Sequence, residues 1–169
     1  EVARVAEYRH AASNGLETKI KLTGREAALK TQLDKTYKDI GKMVQDSGLL
    51  VKAGEDFRKM ILKEDGYQPN VISQKVINAW QERTPEAAKF DKLYVDYMVK
   101  KGLGEEEAKT ILQDYKQAVG NAGVTPDVKY NAIRKAEGRG LPWELVEQNP
   151  AVAARRYGRR VANDLAFFK

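Results

Sequence analysis

Three times the chain sets a side chain suited to helix capping directly before a proline: Thr84-Pro85, Thr125-Pro126 and Asn149-Pro150. A proline at the first helical position loses nothing by lacking an amide hydrogen, because that hydrogen has no intrahelical acceptor. The oxygen of the preceding Thr or Asn can accept from the free amides that follow. Each pair therefore predicts a helix start. Between such starts apolar residues recur at helical spacing, and no segment of five or more residues alternates polar and apolar with β-branched enrichment. The chain reads as all-α, a multi-helix bundle of about seven to nine helices.

Further boundaries follow from local chemistry. A first helix is expected over about 2–13, stopped by Asn14-Gly15, a left-handed C-terminal signal. His10 falls in its last turn, at the negative end of the helix dipole, and reads as a cap rather than a ligand. Thr23-Gly24-Arg25-Glu26 fits a capping box. The helix after it carries Leu29, Leu33, Tyr37, Ile40 and Val44 on one stripe, too short for a coiled coil and suited to face a core. Gly48 is expected to end it. A shorter helix is expected over about 51–63 with Phe57, Met60 and Ile61 inward, closed by Asp65-Gly66.

Pro69-Asn70 predicts a helix start running to about Arg83. Lys101-Gly102-Leu103-Gly104 separates helices at about 86–100 and 105–119. The second of these begins with Glu105, Glu106 and Glu107 at its positive dipole end, and its stripe is Ala108, Ile111, Leu112, Tyr115 and Val119. No motif recurs at a fixed solenoid period. The chain is expected to form one helical region over 1–169, with two subdomains, 1–66 and 67–169, as the alternative. Its first residue is Glu1 rather than Met, and it ends on Phe167, Phe168 and Lys169, which predicts a fragment of a larger helical protein.

Composition removes several kinds of chemistry. There is no cysteine and one histidine among 169 residues, so thiolate zinc sites, disulfides and Cys- or His-based nucleophile pairs are absent. No metal or other cofactor and no small-molecule substrate is expected. No run approaches the roughly 18 apolar residues of a membrane span. The acids fall mostly on polar helix faces. The Glu105 to Glu107 run, with no basic or histidine partner in view, reads as a dipole complement rather than a catalytic pair. Gly138-Arg139-Gly140 and Gly120-Asn121-Ala122-Gly123 neither follow a strand nor lead into Gly-Lys-Ser/Thr, and read as loops. Trp80, near Val76 and Ile77, reads as core, and Trp143 after Pro142 as a staple for a short helix. No catalytic residue is expected, and the chain reads as a non-enzyme.

Charge is polarised. The net charge is +6, and residues 129–169 carry nine Lys and Arg against four Asp and Glu, which leaves +1 for the rest. The candidate binding residues are Arg134, Lys135, Arg139, Arg155, Arg156, Arg159 and Arg160. Arg155 and Arg159, like Arg156 and Arg160, are four apart, and both pairs are expected on one helical flank. Ala154, Tyr157, Val161, Leu165 and Phe168 are expected on the other. Guanidinium groups suit bidentate contact with phosphates or carboxylates. Four readings stay open: a solvated face with Asp164 paired to Arg160, contact with acids of a partner or of the same chain, nucleic-acid binding, and attachment to an anionic membrane, which would need the apolar face exposed. The arginines have no interleaved aromatics for base stacking.

The stretch from Asn149-Pro150 through Arg155-Arg156-Tyr157-Gly158-Arg159-Arg160-Val161-Ala162-Asn163-Asp164 to Phe168 resembles a segment of the large internal virion, or ejection, proteins of short-tailed bacteriophages. Tyr157, Arg159, Arg160, Val161 and Asp164 carry the likeness, which covers about twenty of the 169 residues. The resemblance implies a virion protein that is released into the host envelope, periplasm or cytoplasm during infection. There it would assemble with other ejection proteins, or with copies of itself, into a conduit for the genome. Such proteins can carry a lytic transglycosylase or an RNA polymerase elsewhere. No residue here matches either active site.

Overall fold

The computed structural model describes residues 1–46, 70–120 and 126–167. Among these are seven α-helices: α1 (Val2–Ser13), α2 (Gly24–Asp46), α3 (Gln74–Glu82), α4 (Pro85–Lys100), α5 (Glu105–Gly120), α6 (Pro126–Glu137) and α7 (Pro150–Phe167). A single 3₁₀ turn, Trp143–Leu145, precedes α7. The described residues contain no strand, so the all-α expectation holds. The helix expected over 51–63, with its flanking Gly48 and Asp65-Gly66, lies outside the described residues, as does Thr125.

The chain forms two compact units. One comprises Glu1–Val71 with Gln148–Lys169, and the other Ile72–Glu147. A cut between residues 66 and 67 therefore does not account for α7. That helix groups with α1 and α2 because its apolar stripe is buried there: Ala153, Tyr157 and Val161, one turn apart, are all buried.

In the first unit, α1 ends as its sequence dictates. Gly15 adopts φ +67°, and the amides of Gly15 and Leu16 donate to the carbonyls of Ala12 and Ala11. This is the paired pattern that satisfies the last free carbonyls of a helix. His10 lies in the last turn as expected, but its side chain is buried. The cap is Asn14, whose amide N–H and Nδ2 donate to the His10 carbonyl at 3.0 and 2.8 Å. The capping box at α2 is formed in both directions: Thr23 N–H donates to Glu26 Oε2 at 2.8 Å, and Glu26 N–H to Thr23 Oγ1 at 3.3 Å. Among the described side chains of the expected α2 stripe, Tyr37 is buried and Leu29, Leu33 and Ile40 are half-buried; Val44 lies outside them. The Tyr37 ring meets the edge of Tyr157 on α7 at 6.0 Å between centroids.

The second unit packs α3, α4, α5 and α6 with the 3₁₀ turn around Val76, Trp80, Phe90, Tyr94, Met98, Ala108, Leu112, Tyr115, Ala136, Leu141 and Leu145. Tyr94, fully buried, donates its hydroxyl to the Ala136 carbonyl at 3.1 Å and so ties α4 to α6. Trp80 and Tyr94 both contact Tyr115, with centroids 5.9 and 6.4 Å away. Trp80 belongs to the core as expected, and Trp143 packs half-buried against it. Gly102, at φ +95°, turns the chain between α4 and α5, which lets the Leu103 amide reach back to Met98 and buries both side chains.

The start of α3 departs from expectation. The helix begins at Gln74, not near Asn70, and Ser73 caps it by accepting from Lys75 N–H at 3.2 Å. Residues before it are held out of the helix by long-range pairing: Ile72 bridges Val146, and Ser73 N–H donates to the Leu145 carbonyl at 2.8 Å. The helix also ends one residue early, because Arg83 takes a left-handed conformation at φ 53°.

Candidate functional site

The seven basic candidates divide between the two units. Arg134, Lys135 and Arg139 belong to the second unit, and Arg155, Arg156, Arg159 and Arg160 to the first. Arg134 and Lys135 occupy the last turn of α6, where cations complement the dipole. Arg139 sits exposed in a turn made by two glycines. A Cβ at Gly138 would lie 2.8 Å from the Arg134 carbonyl, and Gly140 has φ +89°. That run is a loop, as expected.

On α7 the four arginines divide. Arg155 and Arg159 are exposed one turn apart, whereas Arg156 and Arg160 flank the buried Tyr157 and Val161, are half-buried and make contacts of their own. The expectation of one four-arginine flank is thereby corrected. Positions 155 and 156 are 100° apart on a helix, so the second arginine of each pair turns toward the packed side. Ala153 rather than Ala154 is the fully buried alanine of the stripe, for the same angular reason. The start of α7 is as expected: Asn149 Oδ1 accepts from the amides of Ala151 and Val152 at 3.0 and 3.4 Å.

Glu105 and Glu106 are exposed in the first turn of α5. They do have a basic partner, Lys109, whose Nζ lies 3.0 and 3.2 Å from them and whose pKa they raise. The missing partner was one turn further along the same helix. Pairing strengthens the reading of this run as a helix-start device. Among the described residues no group of three or more His, Asp or Glu side chains is placed to hold a metal ion, and no helix is long and apolar enough to cross a membrane.

Two arrangements were not anticipated from sequence. The first is a buried charge in the first unit. Arg9 on α1 is fully buried, forms an ion pair with Asp34 of α2, and stacks its guanidinium 5.1 Å from the Tyr37 ring centroid. Burial lowers its pKa to about 10, which leaves it a cation at neutral pH. Nearby, Arg4 Nε meets Glu26 Oε1 at 2.8 Å, and Arg4 also donates to the Lys21 carbonyl, so α1 holds both the first turn of α2 and the segment that leads into it.

The second is an open cleft of about 840 Å³ in the second unit. Three helices each contribute a face: Ile77, Trp80 and Gln81 from α3, Ala87, Ala88 and Asp91 from α4, and Gln113, Lys116, Gln117 and Gly120 from α5. Arg83 and Thr84 join the first two helices at its rim. Lys116 Nζ lies 2.9 Å from Asp91 Oδ2 and 5.9 Å over the Trp80 ring. Gln81 Nε2 donates to the Gly120 carbonyl at 3.1 Å. Thr84 occupies the N-cap of α4, but its hydroxyl makes no capping bond, contrary to expectation. Its amide closes α3 by donating to Ala79, and its carbonyl accepts from Ala87. One residue serves two helices with its backbone, and its hydroxyl is left over. Thr84 Oγ1, Trp80 Nε1 and Asp91 Oδ1 are buried without hydrogen-bond partners. The sequence signal was faint, namely lining residues at helical i, i+3, i+4, i+7 spacing on three separate helices.

No known protein family, no curated protein and no solved structure matches this chain.

Proposed function

We propose that this chain is a structural assembly segment, not an enzyme, of the kind found in the ejection proteins of short-tailed bacteriophages. Its role would be contact with other virion proteins, or with copies of itself, in a conduit that carries the genome through the host envelope. The likeness of residues 149–168 to such proteins motivates the reading. The observation that supports it is the division of α7: Tyr157 and Val161 bury into the unit, while Arg155 and Arg159 stand exposed one turn apart. A helix anchored on one side and cationic on the other offers a fixed basic ridge to a carboxylate-bearing surface. Mass spectrometry of purified virions and of infected-cell fractions tests this. The protein is expected inside the particle before infection and in the envelope after it. An intact protein found only outside virions would sink the proposal.

The same exposed arginines favour a second reading, a basic helical module that binds nucleic acid through phosphates. Such binding weakens steeply with salt, by about 0.9 in log K per log salt for each phosphate contact on duplex DNA. Titrating duplex and single-stranded DNA at two salt concentrations decides it. Binding unchanged by Arg155→Ala with Arg159→Ala, or absent at low salt, removes this reading.

A further inference from the structure

We propose that the cleft between α3, α4 and α5 binds a neutral saccharide. Trp80 is only 7% exposed, and its Nε1, together with Thr84 Oγ1 and Asp91 Oδ1, lies buried without a hydrogen-bond partner. Unsatisfied buried polar atoms are rare in folded proteins, and three of them belong to residues that line this cleft. An indole N–H needs an acceptor, a carboxylate oxygen needs a donor, and a threonine hydroxyl takes either. A hydroxyl group meets both requirements, and neighbouring hydroxyls on one sugar ring meet all three together.

Charge narrows the class further. Lys116 neutralises Asp91 at 2.9 Å, which leaves Arg83 as the one unbalanced charge among the lining residues. An anion would meet the Asp91 carboxylate, and a cation would meet Lys116 and the rim guanidinium of Arg83. Ile77, Ala87 and Val119 supply apolar surface for the C–H face of a sugar, and the volume of about 840 Å³ falls within the range of about 300–1,000 Å³ usual for small-ligand clefts. Lys116 spans Trp80 and Asp91 on a flexible stem. Binding here is independent of the assembly reading, which stands or falls on virion content.

The test is a titration of the full ¹⁵N-labelled chain with maltotriose, followed by amide and indole N–H resonances. Trp143→Phe leaves Trp80 as the one indole signal. Saturable shifts are expected at that indole and at amides of residues 84–91 and 113–117. Thr84→Val removes a hydroxyl without changing shape, and is expected to weaken binding at least about tenfold while leaving the thermal midpoint equal or higher. A trigalacturonate of the same length is expected to bind less well. The proposal is overturned if the Trp80 indole does not move at millimolar sugar. Equal affinity in Thr84→Val and Asp91→Asn, or tighter binding of the anionic sugar, overturns it as well.

Discussion

Ile72 and Val146 face each other in an antiparallel bridge, and beside it Ser73 N–H donates to the Leu145 carbonyl at 2.8 Å. The chain thus enters and leaves the second unit at one place. A unit with adjacent ends and its own core meets the requirements of an autonomous domain. The fragment spanning 72–147 is expected to fold alone, with a helical circular dichroism spectrum and a single cooperative melt. A spectrum that fades gradually on heating would show that this unit needs the rest of the chain.

Arg9 and Asp34 place a cation in the interior of the first unit with one carboxylate against it. Removing one partner of such a pair costs about 3–5 kcal/mol, whereas replacing both by apolar groups is often neutral. Asp34→Ala should therefore cost about 3 kcal/mol in urea unfolding. Arg9→Met combined with Asp34→Leu should recover most of that loss. A double variant no more stable than the single one would refute the account.

Glu26 is held below its ordinary pKa of 4.5, first by the Thr23 backbone N–H and then by Arg4. A carboxyl depressed in the folded state contributes stability above its unfolded pKa and loses it as pH falls through the folded value. The thermal midpoint should therefore drop as pH falls below about 4.5. Glu26→Gln keeps a capping side chain but has no proton to gain, so its midpoint should fall less steeply over the same range. Parallel pH profiles would contradict the assignment.

Tyr94 is pushed up from its ordinary pKa of 10.0, chiefly by burial and then by Glu137. Its neutral form is the folded form, so the stability it contributes is present below pH 10 and declines as pH rises above that value. Tyr94→Phe removes the hydrogen bond to Ala136 and should cost about 1 kcal/mol at neutral pH. The variant should also lose less stability than the parent between about pH 10 and pH 12. An unchanged alkaline slope would count against this tyrosine as the source.

Arg83 holds φ 53° at the end of α3, a conformation that costs a side-chain-bearing residue about 1 kcal/mol and glycine little. Arg83→Gly should raise stability by about 0.5–1 kcal/mol, read from the urea midpoint at constant slope. A loss of stability would mean that the arginine side chain contributes more than its backbone costs.

Much of the local chemistry was legible where the partners were near in sequence, although Lys109 was missed as the partner of Glu105 and Glu106 one turn away. Asn14-Gly15, the Thr23–Glu26 box, Gly102 and the Asn149 cap each close on residues within one or two turns, and each forms as read. Other errors came where a distant segment competed or where one residue served two adjacent helices. Residues 70–73 were drawn out of a helix by Val146 and Leu145, and the Thr84 hydroxyl lost its capping role once its backbone served both α3 and α4. Arg9 stood in an ordinary helical sequence, and nothing in its neighbours announced burial beside Asp34 and Tyr37.

The sequence by itself determined that the chain is helical, where most described helices begin and end, and that its last helix has an apolar and a basic side. These properties depend on backbone hydrogen bonds, caps and a 3.6-residue period, all of which act over a few residues. Only the tertiary structure decided that α7 groups with α1 and α2, that two of its four arginines are half-buried, and that Trp80, Thr84, Asp91 and Lys116 line one cleft. Those outcomes depend on which apolar faces pack together across long sequence separations, and every amphipathic helix in this chain carries a face able to do so.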